Sequence, residues 1–157
     1  MIHIRSKLVT LATVALLAAC GGTPTDDGGN RNGGGITRVI LTNPSFATNI
    51  QEIFGRRGCT ASNCHGGAMQ GGLGLTTVAA SYANLVNVLA VAASGPFGLD
   101  RVEPNDIAAS YLWLKVSGTD AGPRMPQGGS SLDATDLGNI MNWINTGALD
   151  NGRSFAA

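Results

Sequence analysis

The stretch Cys59-Thr60-Ala61-Ser62-Asn63-Cys64-His65, followed at once by two glycines, is the most informative part of this 157-residue chain. Two nearby cysteines with a histidine directly after the second are what covalent haem attachment requires. Each thiol can form a thioether with one vinyl group of the porphyrin, and His65 then lies under the iron as its proximal ligand. The usual spacing is C-x-x-C-H, whereas four residues separate these cysteines. The motif therefore predicts a covalent haem site in a variant spacing.

Two other uses of the same side chains remain open. In an oxidising compartment Cys59 and Cys64 can form a disulfide with His65 as a bystander, or the three residues can bind another metal. The metal alternatives lack ligands, because the only other histidine, His3, lies in a segment expected to be removed. A structural zinc site needs four ligands, iron–sulfur clusters generally need four cysteines, and blue copper needs two histidines. A haem with one histidine and one methionine is easier to assemble.

The first residues predict export. A short basic region precedes an apolar run over 8–18, which is too short to span a bilayer and is typical of a signal peptide. The run ends in Leu17-Ala18-Ala19-Cys20, which looks like a bacterial lipobox. We therefore expect residues 1–19 to be a lipoprotein signal peptide and Cys20 to be lipidated. An ordinary cleavage site with an incidental cysteine is the alternative.

The segment after the predicted cleavage site indicates a tether. Residues 20–35 contain Cys20 and the stretch GGTPTDDGGNRNGGG, which has no large apolar side chain. Such a segment cannot bury a core and is expected to be flexible. By resemblance to enterobacterial lipoproteins, Gly21 rather than Asp favours the outer membrane, with the domain facing the periplasm or the cell surface. Residues 36–157 are expected to form one domain.

Composition restricts the partners. Loss of the leader removes Arg5 and Lys7, which leaves eight basic against ten acidic side chains. There is no basic run and no interleaving of basic with aromatic residues, so nucleic-acid binding has no support. With little net charge, docking to a redox partner should depend on a local apolar patch more than on long-range steering.

Apolar periodicity predicts an all-α domain of four or five helices with long Gly/Pro-rich loops and no convincing strand pair. Between the second and third helices, 88–102 is expected to be irregular. In the core, Phe46, Ile50 and Phe54 should pack on Ile140, Met141 and Ile144. The expected helices are one over 46–54 ended by Gly55 and Gly58, one capped by Thr76 or Thr77 and running to about Val86, one from Glu103 to Gly118, and one from a capped start at 131–136 to Gly147.

Three methionines are candidates for the second axial ligand of a haem iron. Met69 lies only four residues beyond His65, on the proximal side. Met141 is on the apolar stripe of the last helix, where methionine usually fills the core. Met125 is in an irregular, proline-containing loop, 60 residues after His65. We therefore predict Met125 as the distal ligand, with Lys115 or an open position as the alternatives.

Four further side chains are candidates for contact with the cofactor. Arg101 and Arg124 can hydrogen-bond a haem propionate, because a guanidinium group matches a carboxylate bidentately. A solvated surface arginine is the alternative for each. Tyr111 and Trp113 are expected to pack in the core near the haem, with a propionate contact as the alternative.

In order, the first helix, the Cys–Cys–His motif, a Gly-rich loop, further helices, a Met-Pro loop and an amphipathic last helix resemble a monohaem class I cytochrome c domain. More narrowly, the segments GGLGL, SYLWLKVSG, RMPQGG and IMNWINTGA look like those of bacterial lipoprotein cytochromes. The resemblance covers roughly residues 45–150. It implies a class I cytochrome c-like fold around one covalently bound haem c.

The resemblance also implies a function. The expected role is electron transfer to and from an unidentified redox partner, by a low-spin haem with His65 and Met125 as axial ligands, rather than an enzymatic reaction. One rival is a haem enzyme or small-ligand binder, which needs an open iron position. The other is an anchored subunit whose haem has a mainly structural role in an outer-membrane or extracellular assembly.

Overall fold

A computed structural model of the chain describes residues 38–91, 98–119 and 122–150. This part is helical, and its β-bridges are isolated rather than assembled into strands. The expectation of an all-α domain is therefore confirmed for the described residues. None of the helices found there is long and apolar enough to cross a bilayer. The elements are a π-helical segment at Phe46–Ile50 that continues into α1 at Gln51–Arg56, a 3-10 turn at Gln70–Gly72, α2 at Val78–Leu85, α3 at Tyr111–Ser117 and α4 at Ala134–Asn145.

Some sequence predictions fall on other residues. The signal peptide over 1–19, the lipidation site Cys20 and the tether over 20–35 lie outside the described residues. The predicted domain over 36–157 is described from Arg38 to Asp150, apart from two internal gaps.

The first helical unit has the predicted buried face. Phe46, Ile50, Ile53 and Phe54 are all buried, as their spacing indicates. The unit begins after Ser45, which makes no side-chain cap. Its first turn is π-helical instead, and the Ile50 N–H donates to the Ser45 carbonyl at 3.3 Å.

The end of α1 differs from the expectation at one glycine. Gly55 lies inside α1, with open space around it, whereas Gly58 ends the helix in a left-handed conformation at φ 73°. The Gly58 N–H donates to the Gly55 carbonyl at 3.1 Å, and the Cys59 N–H donates to the Phe54 carbonyl at 2.9 Å. These two bonds form a Schellman motif, in which Arg57 is the C-cap residue. Cys59 therefore follows α1 at a position that backbone hydrogen bonds fix.

The last helix packs against the first. Asp133 caps α4 by accepting the Asp136 N–H at 2.9 Å, and Gly147 follows the helix as predicted. Ile140 and Ile144 are fully buried, but Met141 is half-buried and lies outside the core, so its predicted packing is wrong. The largest buried side chain is instead Trp143, whose ring lies 5.1 Å from that of Phe46.

The third helix is shorter than predicted. α3 begins at Tyr111 rather than near Glu103. The intervening residues wind around the buried hydroxyl of Ser110, which accepts the Glu103 N–H at 2.9 Å and donates to the Asp106 carbonyl at 2.7 Å. The Asp106 carboxylate accepts two further backbone N–H groups. These local bonds compete with a helix, which is typical of Ser and Asp side chains.

Candidate functional site

A cavity of about 640 Å³ opens between the end of α1, the motif segment, α3 and the loop over 123–127. Its volume lies in the range of known ligand pockets. Cys59, Cys64, His65 and Met125 all line it, so the structure brings together the four predicted haem-site residues. Most of the remaining wall is apolar, including Ile53, Phe54, Leu73, Leu75, Leu112 and Leu132.

The two cysteines of the motif are not bonded to each other. Cys59 is a free thiol. A disulfide between Cys59 and Cys64, which the sequence left open, is therefore not formed. Burial raises the pKa of the Cys59 thiol to about 11, which keeps it protonated at neutral pH.

The four residues between the cysteines fold into a tight turn. The Ala61 carbonyl accepts the N–H groups of Cys64 at 2.9 Å and Gly66 at 3.0 Å. This turn lies directly over Gly66, where an added Cβ would meet the Thr60 carbonyl oxygen at 2.4 Å. Gly66 is therefore required by the close approach of the turn. Both cysteines still line the cavity, so the wider spacing is accommodated in the turn.

His65 is held by its own segment. Its backbone N–H donates to the Cys59 carbonyl at 3.1 Å, and its Nδ1 lies 3.2 Å from the Leu73 carbonyl oxygen. A carbonyl only accepts, so this contact assigns the proton to Nδ1 and leaves Nε2 with its lone pair. Burial lowers the pKa of His65, which favours the neutral imidazole. A neutral, oriented imidazole of this kind is typical of a metal ligand.

Only one of the three candidate methionines lines the cavity. Met125 packs against the core, and its N–H donates to the Lys115 carbonyl at 2.9 Å. Met69 is 55% exposed, with its sulfur beside Gly74 rather than in the cavity. Met141 also lies outside the lining. Lys115 lines the cavity as well, so the structure keeps both Met125 and the alternative ligand Lys115 at the site.

Arg101 is a cation within the cavity wall. It is 8% exposed, so it is not the solvated surface arginine that the sequence allowed. Its guanidinium donates to the carbonyls of Asn84 at 2.8 Å and Gly72 at 3.1 Å, and burial lowers its pKa. Among the described residues no carboxylate pairs with it, and the described cavity lining contains no Asp or Glu.

Of the other side chains predicted to contact the cofactor, only some line the cavity. Tyr111 lines the cavity, and Lys115 Nζ lies 5.8 Å from the centre of its ring. Trp113 packs against the core but is not part of the lining. Arg124 is also outside the lining and donates to the Met125 carbonyl at 3.3 Å. Arg124 thus supports the backbone of the loop that carries Met125.

An ionic cluster beside the motif was not predicted. Asp136 is 1% exposed and accepts hydrogen bonds from Arg56 at 2.7 Å, from Arg57 at 2.5 Å and from Arg38 at 3.1 Å. Asp133 accepts from Arg38 and Arg57 as well. Two sequence features belong to this cluster: the Arg56-Arg57 pair just before the motif and the acidic residues at the start of α4. The spacing of apolar residues does not show that these two segments are in contact.

Comparisons with family models, curated proteins and solved structures gave no match. Among the residues that the structure describes, no group of three or more His, Cys, Asp or Glu side chains is arranged to hold a metal ion. Cys59, Cys64 and His65 therefore share a cavity without converging on one metal position.

Proposed function

We propose that this chain is a monohaem c-type cytochrome that transfers electrons. Cys59 and Cys64 are the proposed attachment residues of one haem c, and His65 and Met125 are the proposed ligands of its iron. The proposal is carried by the shared cavity, because residues from distant parts of the sequence that one haem would need all line it. No local sequence pattern requires a methionine 60 residues after His65 to reach the same cavity.

The orientation of His65 supports the proposal. Its Nδ1 is engaged by the Leu73 carbonyl, so Nε2 is the atom available to a metal. A hydrogen bond of this kind holds the ring orientation and raises the basicity of a ligating histidine. Burial lowers the pKa of His65 although the backbone contacts with Leu73 and Gln70 raise it, so the net effect favours the neutral imidazole that can bind iron.

The charges of the cavity support the same ligand class. Haem carries two propionate carboxylates, and the described wall contains the buried cation Arg101 and no acidic side chain. A buried guanidinium without a carboxylate is costly, since buried charges are normally paired. A carboxylate-bearing ligand in the cavity would give Arg101 the counter-charge that the described protein residues lack.

Haem c, when bound, supplies a one-electron Fe(III)/Fe(II) couple. The residues of this chain bind and orient the cofactor and set its surroundings. As an iron ligand, the neutral thioether of Met125 would favour the ferrous state more than a second imidazole would. The apolar wall, which includes Phe54 and Leu112, excludes water and favours the less charged state of the site.

Attachment requires two sulfurs that can reach the vinyl groups of one porphyrin. Cys59 is a free thiol, so its sulfur is available for addition to a vinyl group. Cys64 lines the same cavity, which places the second proposed attachment residue at the same ligand.

The proposed place of action is an exported, lipid-anchored one. The basis is the lipobox ending at Cys20 and the Gly-rich tether after it. We propose that the anchor holds the domain at a bacterial membrane, with the outer membrane favoured, and that the redox partner is a protein of the periplasm or the cell surface.

Replacement of the predicted distal ligand tests the function. We expect Met125→Ala to abolish the ferric Met–iron charge-transfer band of the purified protein. Met141→Ala is the matched control, because Met141 lies outside the cavity, and it should leave the band unchanged. A band that persists in Met125→Ala would overturn the ligand assignment. A high-spin ferric spectrum of the parent protein that shifts with azide would support the small-ligand binder instead of the electron carrier.

A further inference from the structure

We propose that the ionic cluster between α1 and α4 positions Cys59 for thioether formation, and that Arg57 is the positioning residue through which the cluster acts. The inference rests on the proposed haem attachment and adds a group outside the motif to it. The cluster consists of Arg38, Arg56, Arg57, Asp133 and Asp136.

The backbone between Arg57 and Cys59 is a tight turn at the end of α1. Arg57 is the C-cap residue of α1, and Gly58 reverses the chain direction at a positive φ of 73°. The Cys59 N–H then donates a hydrogen bond to the Phe54 carbonyl at 2.9 Å. A Schellman motif has little freedom once its C-cap is fixed. The position of Cys59 therefore depends on where Arg57 is held.

Two carboxylates hold the guanidinium group of Arg57. Its Nε lies 2.5 Å from Asp136 Oδ2, and its Nη2 lies 2.5 Å from Asp133 Oδ2. Asp133 is the N-cap of α4, so one guanidinium ties the end of α1 to the start of α4. The side chain of Arg57 is only 12% exposed and that of Asp136 is 1% exposed. Charge-assisted bonds shielded in this way specify geometry as well as energy.

The spacing of the motif affects how Cys59 is oriented. Four residues separate the two cysteines, so the second sulfur constrains the first less than in the shorter motif. Orientation of the Cys59 thiol must then come largely from the preceding helix. The contact of the Cys59 carbonyl with the His65 N–H, at 3.1 Å, links this same unit to the proposed iron ligand.

The reaction needs a placed thiol rather than an activated one. The Cys59 S–H adds across a vinyl C=C: the S–H bond and the π bond break, a C–S bond forms to the carbon next to the ring, and hydrogen is added to the terminal carbon. No electrons are gained or lost overall, and no leaving group departs. Placement of the reacting atoms is a large part of the rate of such an addition.

The experiment compares Arg57→Gln with Arg56→Gln in the full chain, expressed with haem export and a c-type maturation system. Arg56 bonds to the same Asp136 but is not the C-cap residue, so Arg56→Gln is the matched control. Haem-bearing protein is denatured and treated with an alkylating agent, and peptide fragmentation locates the modified cysteine. The readout is the fraction of haem-bearing chains with an unreacted Cys59 thiol. A purely structural role would lower the total haem content without raising this fraction.

We expect Arg57→Gln to raise the fraction at least about tenfold over the parent, consistent with the sensitivity of such steps to small displacements. Arg57→Lys, which keeps the charge but loses the planar fork, should raise it less and guards against a variant that fails to fold. In haem-free protein, native alkylation of Cys59 should be faster in Arg57→Gln than in Arg56→Gln.

Two results would overturn the inference alone: an unchanged fraction in both Arg57 variants, or equal effects of Arg57→Gln and Arg56→Gln. Absence of haem from the parent chain would overturn the proposed function and this inference with it. Native alkylation rates that do not differ between the variants would remove the positioning role independently of haem.

Discussion

Replacement of Asp136 by alanine is expected to destabilise the domain strongly, although Asp136 lies outside the cavity. The carboxylate is 1% exposed and accepts hydrogen bonds from three guanidinium groups. Asp136→Ala removes the shared acceptor and, among the described residues, leaves Asp133 and Glu52 as the carboxylate partners of the three arginines. Removal of one member of a buried ion pair typically costs about 3–5 kcal/mol.

The expected cost lies near the lower end of that range. The side chain of Arg38 is 44% exposed and that of Arg56 is 24% exposed, so water can take over part of their solvation. Arg57, at 12%, is the one that loses most. A loss of about 3 kcal/mol lowers the melting temperature of a domain of this size by roughly 10–15 °C.

Urea unfolding of the full mature chain, followed by far-ultraviolet circular dichroism, measures this loss. Glu52→Ala is the control, because it removes an exposed partner of Arg56 that is not part of the cluster and should cost at most about 0.5 kcal/mol. If the free energy of unfolding of Asp136→Ala lies within about 1 kcal/mol of that of Glu52→Ala, the cluster does not hold α1 and α4 together and the reasoning is refuted.

Three further outcomes follow from the site and the cluster. Gly66→Ala should lower haem content and melting temperature together, because its Cβ meets the Thr60 carbonyl at 2.4 Å; a fully haem-loaded variant with parental stability would contradict the packing of the turn. Burial alone would raise the pKa of Asp133, but the bonds that it accepts from a backbone N–H and from Arg38 lower it below the usual value of an aspartate. Its stabilising contribution is therefore present above about pH 4 and is lost as the pH falls through the folded pKa. Acid unfolding followed by circular dichroism should show that the stability of Asp133→Asn falls less steeply at low pH than that of the parent. An unaltered pH profile would count against this expectation. Arg101→Gln should move the pH dependence of the midpoint potential to higher pH, because the guanidinium favours an ionised carboxylate; identical profiles would remove Arg101 from the cofactor site.

The sequence predicted the parts of the fold that rest on local patterns. The spacing of Phe46, Ile50 and Phe54 indicated a buried helical face, and the structure has it. The cap at Thr77 was also predicted, and its hydroxyl accepts the Ala80 N–H at 3.2 Å. Both features depend on residues within two turns of one another, which a sequence displays directly.

The sequence failed where side chains bond to distant or irregular backbone. Glu103-Pro104 looked like a helix start, but the Ser110 hydroxyl captures the backbone there and delays α3 to Tyr111. The sequence allowed Arg101 to be a solvated surface arginine, yet its guanidinium donates to backbone carbonyls such as that of Asn84, 17 residues away. The spacing of apolar residues gives no information about such contacts, because they depend on how separate segments pack in the folded chain.

Only part of the candidate site could be predicted from the sequence. The motif identified Cys59, Cys64 and His65 together, and the choice of Met125 over Met141 followed from its loop position. The structure was needed to find the Nδ1 contact of His65, because its partner is a loop carbonyl. It was also needed to find the ionic cluster next to Cys59, because one of its carboxylates belongs to the N-cap residue of the last helix.

The most direct test is the mass of the tryptic peptide that spans residues 58–101, which contains both cysteines of the motif and His65. The protein is produced with its export signal in a bacterium that matures c-type cytochromes. We predict a peptide heavier by one haem, with no cysteine open to alkylation after reduction. A peptide with its unmodified mass and two alkylatable cysteines, isolated from cells whose other c-type cytochromes are loaded, would contradict the proposal.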